Sequence, residues 1–103
     1  TNPPYLTPEA MTYLVEMGVN HLLLDLPSVD REYDEGKLVC HHIFWNVEGH
    51  EASSESRYQN TITEMIYIPD EVEDGLYLLN LQIPSLPLDA APSKPVLYTL
   101  NPE

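Results

Sequence analysis

Within residues 37–46, KLVCHHIFWN, a thiol (Cys40), two imidazoles (His41 and His42) and the only tryptophan of the chain (Trp45) fall inside six positions. Thiolate and imidazole serve both as metal ligands and as nucleophile–base partners, so this grouping raises both chemistries. His41 and His42 are adjacent; on a strand they point to opposite faces, and only one of them joins a given site. A structural role for both is the competing reading. Cys40 has no neighbour in sequence that would act as its base, and a small buried hydrophobe is its expected role. His50 lies in a polar loop and His21 opens an apolar run, each without an identifiable partner. There is no glycine-rich phosphate loop, nucleophile elbow or Cys-x-x-Cys pair.

The second feature is TITEMIY, residues 61–67. Strand alternation puts Ile62, Glu64 and Ile66 on one face. A carboxylate between two isoleucines is costly to bury without a metal, a cation or hydrogen-bond donors. With only four Lys plus Arg in the chain, cations are scarce, which favours a metal. The other reading is a solvated edge with Glu64 exposed. An imidazole and a carboxylate are ordinary zinc ligands, but a catalytic zinc takes about three protein ligands plus water. One His and one Glu therefore define at most part of a site.

The elements that must position these residues follow from punctuation and periodicity. TNPPYL is an extended lead-in, since consecutive prolines bar a helix. A helix is expected at about 8–17: Thr7 caps it, Pro8 opens it, Glu9 complements its dipole, Gly18 stops it, and Met11, Leu14 and Val15 form its packing stripe. VNHLLLDLP predicts a strand buried on both faces and ended by Pro27. SVDREYDEG is an acidic loop, and residues 46–60 form a solvated one. TITEMIYIP and LYLLNLQIP predict an antiparallel strand pair joined by DEVEDG, and VLYTL a last short strand. The expected class is α/β, a mixed sheet with one clear helix and several strands, in a single domain or fragment spanning 1–103 without internal repeat.

Composition bounds the partners. The 103 residues suffice for one small domain, and 43% of them are hydrophobic, a globular proportion. No apolar run approaches the roughly 20 residues that span a bilayer. Four basic against 17 acidic side chains give a formal charge of −13. Such a surface repels phosphate backbones and anionic lipid, so neither nucleic acid nor membrane is expected as a partner. A lone cysteine fits a cytoplasmic setting. The chain opens at Thr1, through removal of an initiator Met or because it is a fragment.

Taken together, GVNHLLLDLPSVDRE, CHHIFWN, TITEMIYIPDEVEDGLYLLNLQI and PSKPVLYTL resemble the C-terminal half of the cyclase family of metal-dependent hydrolases, which includes the bacterial kynurenine formamidases. The match is strongest over residues 18–45 and 60–83. The resemblance implies a swivelling β/β/α fold and a zinc or manganese centre. In that family the ligands come from an N-terminal His-x-Gly-Thr-His-x-Asp motif and, later, from one His and one Glu. The late His falls on the HH pair, taken as His41, and the late Glu on Glu64. Residues 46–60 make the His-to-Glu separation longer than in the compact formamidases. This chain contains neither the N-terminal motif nor the catalytic His that follows it.

The resemblance thus implies half of a site, with no catalytic residue identifiable in this chain. Its divalent metal would be completed by residues outside the chain, from the remaining N-terminal half or a second chain, unless this is a degenerate relative. The implied activity is hydrolysis of an amide or cyclic-amide carbon–nitrogen bond in a small-molecule substrate, by a cytoplasmic homo-oligomer. The metal would polarise the carbonyl and acidify its bound water. Phe44 and Trp45 would line a pocket or pack in the core. The rival expectation is a non-catalytic acidic protein-binding module.

Overall fold

The computed structural model describes residues 3–49 and 51–100. The chain divides into two units, Thr1–Tyr67 and Ile68–Glu103. The class is mixed α/β, with two helices and four short strands in two small sheets among the described residues.

In the first unit, helix α1 spans Pro8–Glu16, within a residue of its expected end. Thr7 accepts the Ala10 N–H at 3.1 Å, and Gly18 takes φ 84°, where a side chain would be strained. The turn closes with Gly18 N–H donating to Val15 O (3.0 Å) and Val19 N–H to Leu14 O (3.2 Å). Strand β1 follows at His21–Leu23, helix α2 at Val39–Trp45 and strand β2 at Thr61–Thr63. β1 and β2 pair in parallel, His21 opposite Thr61 and Leu23 opposite Thr63, so α2 lies in the crossover of a βαβ unit.

The core is Met11 from α1, Val29 from the loop after β1, and Cys40 and Phe44 from α2. Cys40 and Phe44 stand one turn apart, so the buried side of α2 is a helical face packed on α1. Ile62 of β2 and Leu22 of β1 flank this cluster.

Four expectations are corrected here. The 39–45 segment is a helix, so His41 and His42 are separated by about 100° around a helix axis rather than by the two faces of a strand. β2 ends at Thr63, and Met65 takes a left-handed φ of 58°. The alternation that put Glu64 between Ile62 and Ile66 is therefore broken. The strand after Gly18 is short and half-buried, with His21 exposed. Finally, TITEMIYIP does not pair with LYLLNLQIP; β2 pairs with β1 instead.

Residues 46–60 are tied down more than a solvated loop requires. Arg57 donates its backbone N–H to Trp45 O (2.8 Å), and its guanidinium donates to the Ile43 and Phe44 carbonyls (3.2 and 3.1 Å). A cation thus covers the negative end of α2. His50 lies outside the described residues.

In the second unit, β3 (Tyr77–Asn80) and β4 (Val96–Thr99) pair antiparallel, Leu78 opposite Tyr98 and Leu79 opposite Leu97. None of its described residues is buried. Among the described residues no helix is long and apolar enough to cross a membrane.

Candidate metal centre

The site is organised by a residue in the acidic loop. Asp30 is buried, its N–H donating to Ser28 Oγ at 3.0 Å. Its Oδ1 accepts the Cys40 N–H (2.8 Å), and its Oδ2 accepts both the His41 N–H (3.1 Å) and His41 Nδ1 (2.8 Å). Leu38, at the start of α2, is left-handed and offers no side-chain cap. Asp30 therefore caps α2 from eight positions before the local N-cap, Leu38, satisfying two amides that the helix leaves open. Asp34 wraps the approach, taking the Gly36 N–H (2.9 Å) and the Leu38 N–H (2.8 Å).

With Nδ1 held by Asp30, the other nitrogen of His41 points at Glu64. Nε2 lies 2.9 Å from Glu64 Oε1, which also accepts the Val29 N–H at 3.4 Å. Glu64 reaches this position because the chain leaves β2 still bonded alongside residues 24–26: Leu24 N–H donates to Thr63 O (3.0 Å) and Met65 N–H to Leu26 O (2.9 Å). Asp30, His41 and Glu64 thus form one line, carboxylate–imidazole–carboxylate, drawn from three separate segments. His41 and Glu64 keep 19% and 23% of their side-chain surface, so the line runs from the interior to water.

The electrostatics follow from this arrangement. Burial pushes the Asp30 carboxyl upward, but the Cys40 N–H and the ring and N–H of His41 outweigh it and hold the group below the usual carboxylate range. Burial pushes the Cys40 thiol up to about 12, and the Asp30 charge beside it adds to the effect. A thiol so placed is no nucleophile; its Sγ–H donates to Leu6 O at 3.3 Å.

The two residues expected as ligands, His41 and Glu64, are far apart in sequence and in contact in space. His42 is half-buried on the same helix. His21 has a partner after all, its Nδ1 lying 2.8 Å from Thr61 Oγ1 at the first register pair of β1 and β2. Trp45 stacks at a tilt on His41, ring centroids 5.7 Å apart, and its indole N–H donates to Asn60 O at 2.8 Å.

Asp30 was missed by sequence reasoning. Its signal is the uncapped helix at Leu38, which is invisible while residues 39–45 are read as a strand. Among the described residues no group of three or more His, Cys, Asp or Glu side chains could hold a metal. Asp30 does not add a third donor, because its oxygens are spent on two amides and Nδ1. What remains is one imidazole nitrogen and one carboxylate, the nitrogen oriented by a buried carboxylate behind it. That is the chemistry of a ligating histidine with its supporting partner, and it fits part of a divalent-metal site. Comparison with protein-family models, with curated proteins and with solved structures gives no match.

Proposed function

We propose that this chain supplies part of the metal centre of a hydrolase acting on amide or cyclic-amide carbon–nitrogen bonds, cyclase- and formamidase-like, in the setting of a swivelling β/β/α fold. The observation that carries the reading is the Asp30–His41–Glu64 line: His41 Nε2 and Glu64 Oε1 converge, and Asp30 fixes the ring from behind. His41 and Glu64 would hold zinc or manganese, with the remaining ligands and the proton-transfer residue coming from outside this chain. When bound, such a metal polarises a carbonyl and acidifies water. The chain's own residues do the positioning. Asp30 keeps a proton on Nδ1 and so leaves Nε2 as the donor nitrogen. Trp45 covers one side of that ring.

Zinc titration of the chain, followed by the fluorescence of its single tryptophan, tests this. The expected result is one weak site, with a dissociation constant above the micromolar range, lost in His41→Ala and in Glu64→Gln. Binding that is unchanged in both variants would remove these residues from any site. Sub-micromolar one-to-one binding by the unaltered chain would contradict the partial site. The alternative, an acidic binding module with a structural His41–Glu64 pair, requires no response to zinc at all.

A further inference from the structure

Asp74–Gly75 is the one place in the sequence where an aspartate precedes a glycine; the other five aspartates precede Leu26, Arg31, Glu35, Glu71 and Ala90. The amide nitrogen after an aspartate lies within reach of that residue's own carboxyl carbon, and attack there closes a five-membered succinimide ring. A side chain on the following residue crowds this approach and narrows the backbone angles open to it, whereas glycine does neither. Both Asp74 and Gly75 are exposed, in the turn that leads into β3. Exposed turns with few contacts open most readily.

The aspartates differ in their partners as well. Asp30 spends both oxygens on the Cys40 and His41 amides and on the His41 ring, and Asp34 gives its two oxygens to the Gly36 and Leu38 amides. Neither of those carboxyls is free to turn on its own backbone. Among the described residues, nothing bonds to the Asp74 carboxylate or to the Gly75 N–H. One contact opposes the reaction. Tyr77 Oη donates to the Glu73 carbonyl, so the Tyr77 side chain reaches back across Asp74 and Gly75. Its Cε2 lies 4.0 Å from where a Cβ on Gly75 would sit. Ring closure rotates the backbone at Asp74, immediately after the peptide that Tyr77 holds.

We infer that Asp74–Gly75 is a site of spontaneous isoaspartate formation, and that Tyr77 restrains it. The Gly75 nitrogen forms a bond to Asp74 Cγ and loses its proton. The Cγ–OH bond of the protonated carboxyl breaks, and one water leaves. One water then opens the ring. Opening at Cγ restores aspartate; opening at the main-chain carbonyl leaves the backbone running through Cβ and Cγ. Nothing is oxidised or reduced, and mass and formal charge are unchanged. The product adds one methylene to the main chain between Glu73 and Tyr77, the two residues that the hydrogen bond joins.

Ageing the full chain in mildly acidic buffer at physiological temperature tests this. A protease that cleaves before aspartate but not before isoaspartate, with mass spectrometry of the peptides, reads the conversion at each aspartate. The expected result is loss of cleavage at Asp74 ahead of all the others. Gly75→Ala should slow it severalfold; Gly75 has no positive φ and the added Cβ meets Tyr77 at ordinary contact distance, so the variant is not strained. Tyr77→Phe should speed the folded chain about fivefold, the factor carried by one net hydrogen bond of about 1 kcal/mol. In denaturant, Tyr77→Phe and the parent should age alike. No conversion at Asp74, conversion as fast at Asp25, Asp70 or Asp89, or a Gly75→Ala chain that ages like the parent would overturn the site. A folded Tyr77→Phe chain no faster than the parent, or one that stays faster in denaturant, would overturn the restraint.

Discussion

At the scale of single residues, the Glu64 carboxylate does two things, accepting from Val29 N–H and facing His41 Nε2. Glu64→Gln keeps the size and an acceptor oxygen but removes the charge. Without metal, the partly exposed contact should cost no more than about 1 kcal/mol. The rise in melting temperature on adding zinc should disappear, and thermal melts with and without zinc check both statements. A zinc-dependent rise as large in the variant as in the parent would dismiss Glu64 as a ligand. Within the histidine pair, His41 has its Nδ1 held by the buried Asp30 carboxylate and its Nε2 beside Glu64. His41→Ala should therefore abolish the zinc-dependent change in Trp45 fluorescence, and His42→Ala should retain most of it. Equal loss in the two variants would reverse the assignment.

At the scale of elements, α2 depends on a residue outside itself. Val39, Ile43, Phe44 and Trp45 favour strands by intrinsic preference, and Leu38 provides no cap. Asp30 and Arg57 hold the two ends in place. Asp30→Ala opens two buried amides and should destabilise the first unit by about 2–3 kcal/mol, read by chemical denaturation. Asp30→Asn, which keeps one acceptor oxygen, should lose less. The same Asp30→Ala change should speed alkylation of Cys40, which is buried in the parent and reacts only on opening. An unchanged labelling rate would show that α2 holds without its distant cap.

This is also where the sequence was legible and where it was not. α1 announces itself through Thr7, Pro8 and Gly18, all local signals. The pairing of Glu64 with His41 was reachable through the odd carboxylate and the family resemblance, though the alternation used to single out Glu64 does not survive Met65. α2 was hidden because its cap lies elsewhere in the chain, although Cys40/Phe44 and His41/Trp45 at four-residue spacing were there to be read. Strand pairing was not legible: nothing local in TITEMIYIP states that its partner is β1, some 40 residues earlier, rather than the next strand.

At the scale of the whole molecule, 17 acidic side chains against four basic ones make charge repulsion a general load on the folded state. Adding sodium chloride to physiological strength screens it, since the Debye length falls to about 8 Å. The melting temperature should therefore rise by at least about 2 °C between low salt and physiological salt, as measured by calorimetry. A fall would mean that attractive pairs outweigh the repulsion. One residue also ties the folding of this molecule to its chemistry. Asp30 holds a helix together with both oxygens and aims a histidine with one of them, whereas Glu64 is partly exposed and bears no helix. Over generations without need of a metal, selection for a folded chain would still keep Asp30 and leave Glu64 free to drift. A descendant with no use for a metal at His41 would thus retain Asp30 longer than Glu64.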